Sequence, residues 1–324
     1  MGFFVTAQQV ALMGVFIALG IVTSARGWIR GDAVGGLTNV VVYFVTPCVI
    51  LQAFNRPFDV AELRGIAGVF VLAILAYPCM IGLAHLVFGR WVRDDAHRVA
   101  LRFGAIYANT GFLGLPLAQA LLGPDGVFYG VASMIAYNLI VWVHGYDMFP
   151  DPGHSLPAAG LKRWTSRAKK IILNPNIIAV AGGLVLFIAS IDLPEIVVDG
   201  IDYLAAMNAP LSMLVLGASL GIFRLRDVVT DRLAWSGTAV RNLVIPLLSI
   251  AAISLYALVV PLEPIQRVAL LIPLACPVGA FLVMFAVLHR VDTVFPNRLV
   301  LLSTLCSIVT IPTMLSVASL LPGW

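Results

Sequence analysis

Apolar runs of about twenty residues, separated by short polar interruptions, cover nearly the whole chain. A helix rises 1.5 Å per residue, so about twenty residues cross a hydrocarbon core about 30 Å thick. The pattern predicts ten such helices, at 3–23, 36–54, 66–88, 99–122, 127–148, 175–191, 204–222, 243–260, 268–288 and 299–321. The predicted fold class is therefore an all-α polytopic membrane protein. Composition agrees: of 324 residues 60% are hydrophobic and 11% charged, and the mean hydropathy is +0.99.

The loop charges orient this map. One set of loops holds Arg26 and Arg30; Arg90, Arg93, Arg98 and Arg102; Lys162, Arg163, Arg167, Lys169 and Lys170; Arg224, Arg226 and Arg232; and Arg290 and Arg298. The other set holds only Arg56, Arg64 and Arg267, and its loop between the sixth and seventh helices carries Asp192, Glu195, Asp199 and Asp202. Arg241 is placed at the inner edge of the eighth helix. Positive residues collect on the cytoplasmic side. Both termini are thus expected outside, and the first helix, with no Lys or Arg before it, is expected to be retained. The net charge of +4 follows from this bias. No basic run interleaves with aromatics, so no nucleic-acid partner is expected.

The long polar stretch 149–172 contains Pro150, Pro152, Gly153 and Pro157 and ends in a basic run. It reads as a cytoplasmic linker whose charges meet anionic headgroups. Five predicted helices precede it, within 1–148, and five follow, within 173–324. An odd number makes the second half enter the membrane with opposite polarity, so the halves are expected to form inverted repeats. Their features match at an offset of about 165 residues. Thr46-Pro47 in the second helix answers Ala209-Pro210 in the seventh, and the Asn109–Gly111 region of the fourth answers Ala275-Cys276-Pro277-Val278-Gly279 of the ninth.

The fourth helix carries the most informative motif. Asn109, Thr110, Gly111, Gly114 and Pro116 fall near its middle, where Gly loosens the backbone and Pro removes a donor. In lipid each freed backbone group costs several kcal/mol, so such a break is expected only where it is enclosed by protein or lines a cavity. Crossed broken helices four and nine would aim half-helix N-termini at one region, an arrangement suited to an anion. Neither break contains Asp, Glu, Lys or Arg. The candidate substrate-binding residues are Asn109, Thr110, Gly111, Pro116, Cys276, Pro277 and Asn138. Asn138 and Asn208 fit either a cavity lining or an interhelical hydrogen bond, and Gly217 with Gly221 reads as a helix-packing GxxxG.

Cys48, Cys79, Cys276 and Cys306 lie in apolar segments and read as small packing residues. His85, His144 and His289 sit near cytoplasmic helix ends, where they fit interfacial positions or proton coupling. There is no HExxH, GxSxG, Walker loop or paired intramembrane Asp, so no enzyme, metal or cofactor is expected.

ANTGFLGLPLAQALLG (108–123) resembles the fourth-helix signature of the auxin efflux carrier family of membrane transporters. LNPNIIAVAGGLVLFI (173–188), NAPLSMLVLGASLG (208–221) and LLSTLCSIVTIPTM (301–314) resemble its sixth, seventh and last helices. The resemblance implies ten helices in two inverted five-helix repeats, a scaffold and a transport domain, and crossed helices four and nine. Asn109, Thr110 and Gly111 match the first crossover and Pro277 the second. The run Val278, Gly279, Ala280, Phe281 departs from the small polar residues usual after that proline.

The expected function is a secondary transporter in a bacterial inner membrane, moving a small organic anion such as a malonate- or malate-like carboxylate by alternating access. The expected partners are that anion and the lipid bilayer; homodimers are implied by the resemblance alone. The rival classes are a membrane-embedded enzyme and a ligand sensor without transport activity.

Overall fold

The computed structural model describes residues 3–29, 31–89, 91–149, 172–220 and 225–324. Most of the predicted linker and Gly221 lie outside the described residues. Within them the chain is helical, and the only β-type pairing is one isolated bridge.

The helices are α1 (Phe3–Ala25), α2 (Gly31–Val40), α3 (Thr46–Phe54), α4 (Val60–Val87), α5 (Asp95–Ile106), α6 (Leu115–Ile140), α7 (Pro175–Ala189), α8 (Glu195–Ala206), α9 (Asn208–Leu220), α10 (Leu225–Val229), α11 (Arg232–Ala239), α12 (Ile245–Tyr256), α13 (Pro264–Ala275), α14 (Phe281–Leu288) and α15 (Val294–Ser319). Among the described residues six stretches are long and apolar enough to cross a membrane: Asp32–Phe54, Val60–Val87, Thr110–Met148, Glu195–Leu220, Arg232–Tyr256 and Val294–Ser319. Ala11–Ala25, Pro175–Ala189 and Pro264–Ala275 are shorter apolar helices. The protein is a multi-pass membrane protein.

Local chemistry explains where helices start. Asp59 accepts a hydrogen bond from the Ala61 amide, Asp94 from His97, Asn174 from Asn176, and Asp231 from Leu233 and Ala234. Each satisfies an amide that has no intrahelical partner. Glu263 and Gln266 form a capping box at α13.

Prolines explain where helices deform. Pro47, Pro116 and Pro246 each follow a wide π-turn, at Val41–Val45, Thr110–Gly114 and Val240–Val244. A proline ring clashes with the carbonyl one turn earlier and donates nothing to it, and a widened turn relieves both problems. Gly123, whose φ of 66° and ψ of −157° suit glycine, breaks Thr110–Met148 into two helices close to the expected boundary between the fourth and fifth spans. Other boundaries differ from the hydropathy reading: α4 and α5 begin at Val60 and Asp95, ahead of the expected 66 and 99. The acidic stretch expected as a loop before the seventh helix is instead α8, headed by Pro194, and Asp202 accepts a hydrogen bond from Gln52 at 2.8 Å.

Helix α1 lies along α9 at very close range. A Cβ on Gly217 would sit 2.0 Å from the Ile17 carbonyl oxygen, and one on Gly20 would sit 2.2 Å from that of Leu214. Gly217 therefore serves helix packing. Helix α3 packs on α7 and α8, while α6 packs on α4 and α13, and α15 on α11. Cys276 is buried, Cys48 and Cys306 are half-buried, and Cys79 is exposed on the outer face of α4.

Candidate functional site

Both broken helices open at a single place. Helix α5 ends at Ile106 and the chain runs extended through Tyr107 and Ala108, while α13 ends at Ala275 and the chain is extended at Cys276. The extended segments pair antiparallel at Ala108 and Val278. The Asn109 amide donates to the Pro277 carbonyl at 2.8 Å, and the Gly279 amide donates to the Tyr107 carbonyl at 2.9 Å. The Val278 amide donates to Ser303 Oγ at 3.1 Å. Backbone groups freed by the breaks thus find partners in each other and in α15, as a dry interior requires. Gly279 permits the approach: a Cβ there would stand 2.6 Å from the Ala108 oxygen.

A cavity of about 230 Å³ opens beside this pairing. Thr38, Val41, Val42 and Thr46 line it from α2, the π-turn that follows it and α3, Ala108–Phe112 from the first break, and Met134, Tyr137 and Asn138 from α6. Asn174 and Asn176 contribute from the start of α7, and Ala280, Phe281 and Met284 from the start of α14. Among the described residues no lining side chain is charged. The turn at Thr110 begins without a side-chain cap, and its first bonds run from the Leu113 and Gly114 amides to the Asn109 carbonyl. The amides of Thr110, Gly111 and Phe112 therefore stand at an open helix N-terminus. Helix α14 also presents its N-terminal end here. Two positive dipole ends converge on one neutral, partly aromatic cavity.

Asn109 is 3% exposed, and its Nδ2 is buried with no hydrogen-bond partner. Asn176 Oδ1 is likewise buried and unpartnered. Each unpartnered buried group costs about 1–3 kcal/mol, which a ligand would recover.

Of the residues singled out from the sequence, Asn109, Thr110, Gly111 and Asn138 line the cavity together. Asn138 donates to the Met134 carbonyl of its own helix, whereas Asn208 makes an interhelical bond to Gln119 at 3.2 Å. Pro116, Cys276 and Pro277 do not line it. Pro116 heads α6, Pro277 supplies the carbonyl that holds Asn109, and Cys276 offers its carbonyl to the far side of the break. Thr38, Thr46, Asn174 and Asn176 were missed. The two asparagines flanking Pro175, at the mouth of an apolar run, were the available signal. Of the three histidines near helix ends, His144 reaches the break, with Nδ1 2.8 Å from the Tyr107 hydroxyl; His85 and His289 bond carbonyls of their own helices.

Arg241 departs most from its expected position. It is fully buried behind the breaks, not at an interface. Its Nε donates to Cys276 O at 2.8 Å, Nη1 to Ala105 O at 3.2 Å, and Nη2 to Leu274 O at 2.7 Å and Pro273 O at 3.4 Å. These carbonyls end α5 and α13, so one guanidinium closes both half-helix C-termini.

A family model described as "Membrane transport protein" matches residues 5–315. The chain belongs to this transporter family. It is the auxin efflux carrier family whose motifs the sequence resembles, and its members are transporters, not enzymes. An "uncharacterized transporter" of Methanothermobacter thermautotrophicus is 24% identical over 318 residues, covering 95% of this chain and 96% of that protein. A "putative malonate transporter" of Rhizobium meliloti is 23% identical over 222 residues, covering 66% of this transporter and 67% of its relative. An "uncharacterized transporter" of Methanocaldococcus jannaschii is 22% identical over 222 residues, covering 65% and 68% of the two chains.

Proposed function

We propose that this transporter carries a small organic anion, a carboxylate of malonate or malate type, across a bacterial inner membrane. The observation that carries this reading is the cavity at the crossover. It holds two half-helix N-termini, the unpartnered Asn109 amide and, among the described residues, no charged side chain. A carboxylate would accept hydrogen bonds from Asn109 Nδ2 and the Thr110–Phe112 amides, and the dipole ends would offset its charge. Tyr137, Phe112 and Phe281 would enclose its carbon skeleton. A cavity of about 230 Å³ suits a small metabolite better than a drug-sized one.

Residues 1–148 and 173–324 are read as inverted five-helix repeats, ten spans in all, joined by the linker 149–172. The antiparallel pairing of the two breaks supports this reading, because elements related by a pseudo-two-fold axis cross in opposite senses. Helices α1 to α3 and α7 to α9 would form the scaffold, and their mutual packing supports that division. The crossover module would move against it and expose the cavity to each side in turn. With both termini outside, Thr38 and Asn174 lie toward the cytoplasmic side, so this conformation is the inward-facing one. A homodimer built on the scaffold remains part of the reading by family resemblance alone.

Counterflow in proteoliposomes tests this function. Preloaded unlabelled malonate should accelerate uptake of labelled malonate, and uptake should saturate. Linear uptake without counterflow would indicate a channel; binding without flux would indicate a sensor.

A further inference from the structure

Arg241 bears on what else the crossover can bind. Four main-chain carbonyls, of Ala105, Pro273, Leu274 and Cys276, converge on its guanidinium. Unwound helices at membrane depth offer such carbonyls and half-helix C-termini to alkali cations. Each C-terminal dipole end carries about −0.5 elementary charge. Two such ends balance the single charge of a guanidinium. Among the described residues no carboxylate pairs with Arg241, and no group of His, Cys, Asp or Glu could hold a metal ion. Helix ends alone therefore compensate this buried charge.

We infer that Arg241 is the resident cation of the crossover. It is a positioning residue whose guanidinium fills the carbonyl cage that a bound alkali cation would otherwise occupy. The cage then needs no sodium or potassium to hold α5 and α13 in register. Any coupling ion must act elsewhere, because the carbonyls are already satisfied. The link to flux rests on the proposed transport function; the occupancy of the cage does not.

The test uses the full chain, purified in detergent, with Cys48, Cys79 and Cys306 replaced by serine. Cys276, fully buried in the second break, then reports on the cage through its rate of maleimide labelling. The wild-type background should show the same Tm and the same slow labelling in sodium, potassium and N-methylglucamine chloride. Arg241→Ala should lower Tm by about 5 °C or more and speed labelling by about tenfold or more. Millimolar guanidinium chloride should reverse most of both changes by mass action, and N-methylglucamine should not. An Arg241→Ala protein unchanged in both readouts, a loss that guanidinium does not reverse, or a wild type that requires sodium would each overturn the inference. If Arg241→Ala does not fold, Arg241→Lys and Arg241→Met decide. Lysine should keep Cys276 protected and methionine should not, and equal labelling of the two would refute a role for the charge. No readout involves substrate. Failure of malonate to bind would overturn the proposed function and leave the cage standing.

Discussion

Replacing Asn109 by alanine separates binding from folding. The break is held by the main chain of Asn109, whose amide donates to Pro277 and whose carbonyl accepts from Leu113 and Gly114. Alanine keeps all three bonds, and its backbone adopts the φ of −81° and ψ of 62° found here without strain. The side-chain Nδ2 has no partner to lose. Asn109→Ala should therefore change stability by less than about 1 kcal/mol, since removing an unsatisfied donor also removes its desolvation cost. Binding should suffer far more. A hydrogen bond to a charged carboxylate contributes about 1.5–3 kcal/mol, or about 10- to 150-fold in affinity. An acid present at a hundred times its wild-type Kd stabilises the protein by about 2.7 kcal/mol; a fifty-fold weaker Kd leaves about 0.6 kcal/mol. The assay is thermal unfolding of both proteins with a panel of organic acids, beside saturable uptake in proteoliposomes. A variant that keeps the acid-induced stabilisation and wild-type uptake would refute the site. A variant destabilised by several kcal/mol would show that Asn109 acts as structural support instead.

Three further outcomes are expected. Asn109→Asp places a carboxylate in the anion cavity and should reduce binding below the alanine variant, read by the same thermal shifts. Gly279→Ala drives a Cβ to within 2.6 Å of the Ala108 oxygen, so the paired breaks must part. Losing their two hydrogen bonds should cost about 2–6 kcal/mol and abolish uptake, measured by Tm and flux. Gly217→Ala puts a Cβ 2.0 Å from the Ile17 carbonyl and should destabilise by about 1–3 kcal/mol as α1 and α9 separate. Gly217 faces Ile17 of α1 and does not line the cavity, so the surviving folded fraction should keep its affinity for the acid.

Much of this molecule was readable before its structure. Hydropathy is a local property, so apolar runs of spanning length identified an all-helical, multi-pass protein, and Gly, Pro and Asn in the middle of one run marked the break at Asn109. Asp59 and Asp94 start α4 and α5 ahead of the apolar runs expected from 66 and 99, through bonds that reach only two or three residues along the chain. Charge bias is equally local, and it carries the expected orientation of the loops. What the sequence could not disclose depends on distant segments meeting. Arg241 looked like an interfacial charge at a helix edge. Its burial is tolerated only because carbonyls from residues 105 and 273–276 end their helices around it. Thr38 and Asn176 gained significance only when α2 and α7 closed around the same cavity as the break. The pairing of Ala108 with Val278, some 170 residues apart, has no local signature. Sequence therefore determined which helices form and where they break, since each residue's preference for lipid, cap or turn is its own. Tertiary structure decided which broken ends meet and what satisfies them, since a buried donor or acceptor is stable only once a partner from elsewhere in the chain arrives.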